Sequence, residues 1–279
     1  LFSRVFPRRV EYPFRNLAKA RLLLSLGLYG EAEREVEEAL RANPDLAYSH
    51  YLLGRIDAWS GRQDAAVQQY KRALEIDPHF ADAHDDLGII YADRGWHELA
   101  IGEFKKAIRH GRRDDSAHSN LGLLYMKMGR YDEAISELEK AVRINPRHTM
   151  ARGNLGDIYL GRRLFDKAIQ EYELLLEADP NLLMAYLSLG AAYAAQGLYD
   201  RAVEECQKAL AIDSQFAPAY YALGELHSAR LGLGKAVSPA QRRGILDLAI
   251  NSYEQFIKAW RGDKRQLDAA RERIGRLKK

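Results

Sequence analysis

The chain has 279 residues, 47% of them hydrophobic and 29% charged, with a formal net charge of +3. That is the composition of a folding chain rather than a disordered one. No segment approaches the roughly 18 apolar residues of a membrane helix, and the single cysteine, Cys206, excludes an internal disulfide and a thiolate metal cluster. Residues 1–30 carry six basic groups against Glu11, and residues 255–279 carry nine against Asp263, Asp268 and Glu272, so the ends are basic and the body between them is acidic. A nucleic-acid groove along the chain would need the opposite arrangement, so nucleic acid is not an expected partner.

Residues 1–12 form a basic, aromatic arm, read first as packing on the first repeat or as disordered, and otherwise as a contact for a partner or a membrane surface. Residues 1–14 lack the apolar core of a signal peptide. The chain begins at Leu1 rather than Met, which leaves a removed signal or an upstream anchor open, so a soluble cytoplasmic or exported location both fit.

From residue 13 a 34-residue period takes over. Leu-Gly pairs stand at Leu53-Gly54, Leu87-Gly88, Leu121-Gly122, Leu155-Gly156, Leu189-Gly190 and Leu223-Gly224. Alanines recur at the same step from Ala32 to Ala202, and so does a column of larger residues, Val36, Tyr70, Phe104, Leu138, Tyr172 and Cys206. Apolar residues at three- and four-residue spacing make each period two helices. Glycine inside a helix costs about 1 kcal/mol against alanine, so six in register call for a packing reason. The expected one is a close approach of the glycine to the alanine of the second helix, with the large residue beside it. Gly27, Gly61, Gly95, Gly129 and Gly197 fall between the helices, where a left-handed residue ends the first; Arg163 occupies that place in the fifth repeat. Pro44, Pro78, Pro146 and Pro180 close four repeats, and His110-Gly111-Arg112 replaces the proline in another.

These residues match the tetratricopeptide pattern W-x2-L-G-x2-Y…A-x3-F…P, best seen in His84, Leu87, Gly88, Tyr91, Ala100 and Phe104. The chain resembles a tetratricopeptide repeat protein over roughly residues 13–260. The resemblance implies an all-α, right-handed superhelical solenoid of seven helix hairpins, in units of about 13–46, 47–80, 81–114, 115–148, 149–182, 183–216 and 217–260. The last contains an insertion at about 231–243, in which Ser238, Pro239 and Gln241 read as a helix start running to about Trp260. A final helix over 264–277, with Leu267, Ala270, Ile274 and Leu277 on one face, reads as a cap within a terminal segment 261–279.

The signals for chemistry are weak. His50, His84 and His118 are 34 residues apart, too far across neighbouring helices to share a metal, and they stand where the pattern places tryptophan, so packing is the reading. Cys206 falls in the large-residue column and reads as a structural thiol. Gly232-Leu233-Gly234-Lys235 lacks phosphate-loop spacing, since Ala236 follows the lysine and no strand precedes it. No catalytic residue, metal site or cofactor is expected, and an enzyme or nucleotide-binding protein is a less favoured reading.

The resemblance also implies a concave binding surface lined by the first helix of each repeat. Carried onto this sequence, it comprises Arg55 and Trp59, with Tyr48 and Tyr51 beside them; Asp82, Asp85, Asp86 and Asp93; Asn120, Leu123 and Lys127; Asn154 and Asp157; Leu187 and Ser188; and Tyr221 and Glu225. The four aspartates share a helix face and read either as a solvated surface paired with Arg55 or Lys127, or as a docking site for a basic segment. Asn120 and Asn154 occupy equivalent places from which amides could hold an extended peptide. The small, apolar face around Leu187 suits a partner helix or the packing of the next repeat. A carboxylate clamp is disfavoured, because none of Tyr51, Asp85, Ser119, Gly153, Leu187 and Tyr221 is basic. The expected function is a non-enzymatic scaffold or adaptor that holds a peptide or helix segment of a partner protein, a basic one where it meets the aspartates, in this groove for complex assembly. The alternative is a structural subunit held in a large complex by its termini and convex face.

Overall fold

The computed structural model describes residues 11–111, 114–232 and 238–279. The basic arm up to residue 10 and most of the Gly232–Lys235 motif lie outside them. The described residues contain fifteen helices and no strand. In chain order they are α1 (Glu11–Ser25), α2 (Tyr29–Ala42), α3 (Ala47–Trp59), α4 (Gln63–Ile76), α5 (Ala81–Asp93), α6 (His97–His110), α7 (Asp115–Lys127), α8 (Tyr131–Ile144), α9 (Thr149–Gly161), α10 (Phe165–Ala178), α11 (Leu183–Ala195), α12 (Tyr199–Ile212), α13 (Ala217–Gly232), α14 (Pro239–Ala259) and α15 (Lys264–Leu277). They pair into the seven expected hairpins plus a last helix. Contacts divide them into two compact bodies, the residues through Ile144 and those from Asn145 onward.

The first helices of the first six repeats each end on a left-handed residue. The five inter-helix glycines take φ between 73° and 82°, and Arg163 is forced to φ 60°. The next amide reaches back five residues, as in Leu28 N to Leu23 O at 2.9 Å and Leu164 N to Tyr159 O at 2.8 Å, which closes the helix in the Schellman manner. The second helices α2, α4, α6, α10, α12 and α14 each end on an extended residue, and in five repeats an Asx turn follows the second helix: the Oδ1 of Asn43, Asp77, Asn145, Asp179 or Asp213 accepts from the amide two residues on.

The recurrent helical glycines serve a different neighbour from the one expected. A Cβ on Gly54, Gly88, Gly156 or Gly224 would lie 2.5–2.7 Å from the ring of Tyr70, Phe104, Tyr172 or Tyr253. The glycine therefore makes room for the large residue of the second helix rather than for its alanine. Only where that residue is Cys206 is the backbone nearest, with a Cβ on Gly190 at 3.2 Å from the Ala202 carbonyl.

The column containing the three histidines is a latch. His84 sits between the Glu103 carboxylate (2.6 Å) and the Pro78 carbonyl (3.1 Å), and His118 meets Glu137 at 2.7 Å. Arg152 donates to the Pro146 carbonyl and to Glu171, both at 2.7 Å. Tyr186 and Tyr220 donate to carbonyls six residues back. His84, Arg152, Tyr186 and Tyr220 tie the start of a first helix to the turn before it, and His84, His118 and Arg152 reach the second helix. Burial works against ionisation of Glu103, but hydrogen bonds from His84 and Lys106 outweigh it and hold the carboxyl below its usual range.

Within each body, neighbouring first helices touch, α1 with α3 and α5 with α7, α9 with α11 and α11 with α13, while no two second helices come as close among the described residues. The face built from first helices is thus the inner side of each stack. The last hairpin carries the insertion: Ser238 caps α14 in a full capping box with Gln241. The cap helix α15 then packs through Leu267, Ala270, Ile274 and Leu277 onto Tyr253, Phe256 and Trp260.

Candidate partner-binding face

In the first body, α3, α5 and α7 bring most of the anticipated residues together. Asp82 is exposed on the rim of α5, while Asp85 and Asp86 lie one turn further along, half-buried between the helices. Both oxygens of Asp85 accept from the Asn120 amide of α7 at 3.1 Å. Asp86 accepts from the hydroxyl of Tyr70 at 3.2 Å, and Tyr70 stands beside Tyr51, ring centroids 6.0 Å apart. None of the three aspartates forms an ion pair within the described residues. Arg55 nearby leans over the Tyr51 ring, 5.9 Å from its centroid, and exerts only a through-space pull on Asp82 and Asp86.

The electrostatic result is a crowded set of acids. Burial, with repulsion from Asp114, Asp86 and Asp82, raises the Asp85 carboxyl to about 7 despite the opposing hydrogen bond from Asn120. Burial also raises Asp86, and partial desolvation at the rim together with Asp114 raises Asp82, each moderated by Arg55. Asp114, which caps α7 by accepting from the Ala117 amide at 2.9 Å, contributes a fourth negative charge that the sequence pattern does not single out. Asp93 and Lys127, at the far ends of their helices, are exposed and stand outside this cluster.

Next along α3, Trp59 is 65% exposed and packs against Tyr29 of α2 at 6.0 Å between centroids. With Arg21, Leu24, Tyr29 and Arg55 it lines a cleft of about 410 Å³. Arg55 borders both this aromatic cleft and the acidic cluster. Leu123, on the same face of α7, is half-buried.

In the second body, polar residues of the first helices are more fully engaged within the chain. Asp157 of α9 accepts from Tyr172 OH at 2.6 Å. Glu225 of α13 accepts from Tyr253 OH at 2.6 Å and pairs with Arg273 of the cap helix at 3.2 Å. Tyr221 is packed edge-on to Tyr253 and Phe256. Leu187 and Ser188 are half-buried on α11, and Asn154 on α9. Asn120, expected to offer its amide to a peptide, is committed to Asp85.

One signal for these pairings is legible in hindsight. Where the large column holds tyrosine, its hydroxyl finds a carboxylate: Asp157 and Glu225 stand at one shared repeat position, nine residues into their units. Arg55 occupies that position in the second repeat, so Tyr70 turns to Asp86 of the next. Where the column holds Phe104 or Leu138, the position is the apolar Ile89 or Leu123. Cys206 is buried, and burial together with Glu205 pushes its thiol up to about 12, so it stays protonated in the core. No helix of the described residues is long and apolar enough to cross a membrane.

Profiles of the tetratricopeptide repeat match residues 16–46 and 119–182, and a TPR repeat profile matches residues 54–95 and 192–230. No curated protein sequence matches. Among solved structures, that of MamA is 32% identical, aligned over 59% of this chain and 96% of its own, with a TM-score of 0.54. YrrB, described as a TPR protein with an unusual peptide-binding site, is 25% identical over 67% of this chain and 96% of its own, with a TM-score of 0.55. The Pseudomonas aeruginosa pilF structure shares the fold at a TM-score of 0.68, with 19% identity over 75% of this chain and 95% of its own. The 34-residue period, the hairpins it folds into and the repeat profiles along them agree: the chain belongs to the tetratricopeptide repeat family, whose repeats serve protein–protein interaction.

Proposed function

We propose that this protein acts by binding rather than by catalysis, as an adaptor that holds a basic segment of a partner protein against α3 and α5 on the inner face of its first body. The observation that carries this reading is the state of Asp82, Asp85 and Asp86: three raised carboxyls on one helix face, without an ion pair of their own. A lysine or arginine delivered by a partner would relieve their mutual repulsion. The family's role in protein interaction and the peptide-binding site described for YrrB are consistent with it.

The test uses amidated octalysine as a probe of the face. Amide shift mapping should place it on α3 and α5, and the Asp85→Asn, Asp86→Asn double variant should bind it several-fold more weakly. The difference should shrink at high salt, where screening shortens the reach of exposed charges to about 3 Å at 1 M. Unchanged affinity in the double variant, or shifts confined to other helices, would remove the acidic face from consideration.

A further inference from the structure

Away from the inner face, the junction between the second and third repeats places two histidines against each other. His79 lies in the turn after α4, its amide held by the Asp77 Oδ1 at 2.9 Å. His110 is the last residue of α6. Their Nδ1 atoms are 3.2 Å apart and their ring centroids 4.5 Å apart. Both border a cleft of about 660 Å³ whose wall includes Pro78, Glu103 and Lys106.

The separation of the two nitrogens is informative. Two imidazoles on one tetrahedral zinc, each at 2.0–2.1 Å, hold their nitrogens about 3.3 Å apart. The pair, which shares a hydrogen bond between these two nitrogens, is therefore already spaced as two ligands of one ion: moving the bridging proton to the donor ring's Nε2 and rotating each ring slightly would turn both Nδ1 lone pairs toward a shared point. Imidazole nitrogen is a donor suited to zinc, copper and nickel. The third histidine of the region, His84, is spoken for by Glu103 and the Pro78 carbonyl, and stacks 6.1 Å from His110 as a wall behind it. Among the described residues no set of three His, Cys, Asp or Glu side chains converges on one point, so the site has two protein ligands and water would complete the shell. The local charge is mixed: Lys71, Lys106 and Arg109 line the same cleft as Glu75 and Glu103, and Lys106 is paired with Glu103 at 2.8 Å.

We propose that His79 and His110 form a two-imidazole chelate for a late divalent transition metal, with zinc as the physiological candidate, which staples the turn between the second and third repeats to the end of α6. The proposal is independent of the partner-binding reading, since the two sites share no residue.

The experiment titrates tag-free protein with Zn²⁺ by calorimetry and with Cu²⁺ by electron paramagnetic resonance. The wild-type chain should take up one ion with saturation, show two nitrogen donors to Cu²⁺, and melt a few degrees higher with Zn²⁺ present. His79→Ala and His110→Ala should each weaken uptake by more than the roughly 10–100-fold that loss of an outer-shell partner alone can cost. His79 is exposed and His110 half-buried, so the double variant should still fold cooperatively but gain no thermal stability from Zn²⁺. No saturable uptake by the wild type, or uptake equal in the double variant, would overturn the proposal.

Discussion

Replacing Asp85 with asparagine removes one charge from the acidic cluster while keeping shape and an oxygen that can still accept from Asn120. The carboxyl is raised from its ordinary 3.8 to about 7. Between those values the folded chain keeps a proton that the unfolded chain has released, so the native state binds more protons and stability falls as pH rises through this window. At full weight the shift corresponds to about 4 kcal/mol. The side chain is only half-buried and water can reach its neighbours, so about 1–2 kcal/mol of that is a realistic cost at pH 8. Asp85→Asn should therefore match the wild type near pH 4 and exceed it by this amount at pH 8. Urea unfolding followed by tryptophan fluorescence at several pH values reads the difference, and two of the three tryptophans, Trp59 and Trp96, lie in the first body. A difference that stays flat from pH 4 to 8, or a variant less stable than wild type throughout, would refute the picture of Asp85 as a carboxyl held against its own preference.

Two further substitutions test the packing. Gly88→Ala drives a methyl into the Phe104 ring and should cost about 1–3 kcal/mol after the gain in helix propensity, whereas Gly190→Ala meets the Ala202 carbonyl at 3.2 Å and its next neighbour at 3.7 Å and should stay within about 1 kcal/mol of wild type; thermal unfolding of the two variants checks the order. Arg163→Gly relieves a left-handed conformation that costs an L-residue about 1–2 kcal/mol and should raise the melting temperature by a few degrees, and a fall would mean that the Arg163 side chain matters more than its backbone.

The period of 34 made the hairpins legible because glycine and proline act locally: the left-handed glycines, the strained Arg163 and the capping box at Ser238 each act within a few residues. The cap helix was legible for the same reason, its apolar spacing being helical. What the glycines make room for was not, because the answer lies in a side chain of the paired helix: only a built ring shows that Tyr70 and Phe104, rather than alanines, occupy the space. The fate of the candidate face divides similarly. Four aspartates on α5 were visible as a pattern. That Asp85 is raised to about 7 depends on α7, which brings Asp114 close and spends the Asn120 amide on Asp85. Glu225 looked available from its repeat position, yet it is bonded by Tyr253 and by Arg273, 48 residues further along the chain. The histidine column read as packing because its spacing forbids a shared ion; the meeting of His79 and His110 obeys no repeat period and needed the fold.

Calorimetry of octalysine binding at pH 7 in two buffers of different ionisation enthalpy reaches the adaptor reading most directly. A cation seated beside Asp85 lowers its pKa from about 7, so binding should release a fraction of a proton, and the observed heat should differ between buffers for the wild type but not for Asp85→Asn. Heats that are the same in both buffers, or a buffer dependence that survives in Asp85→Asn, would contradict a partner held by its charge on this face.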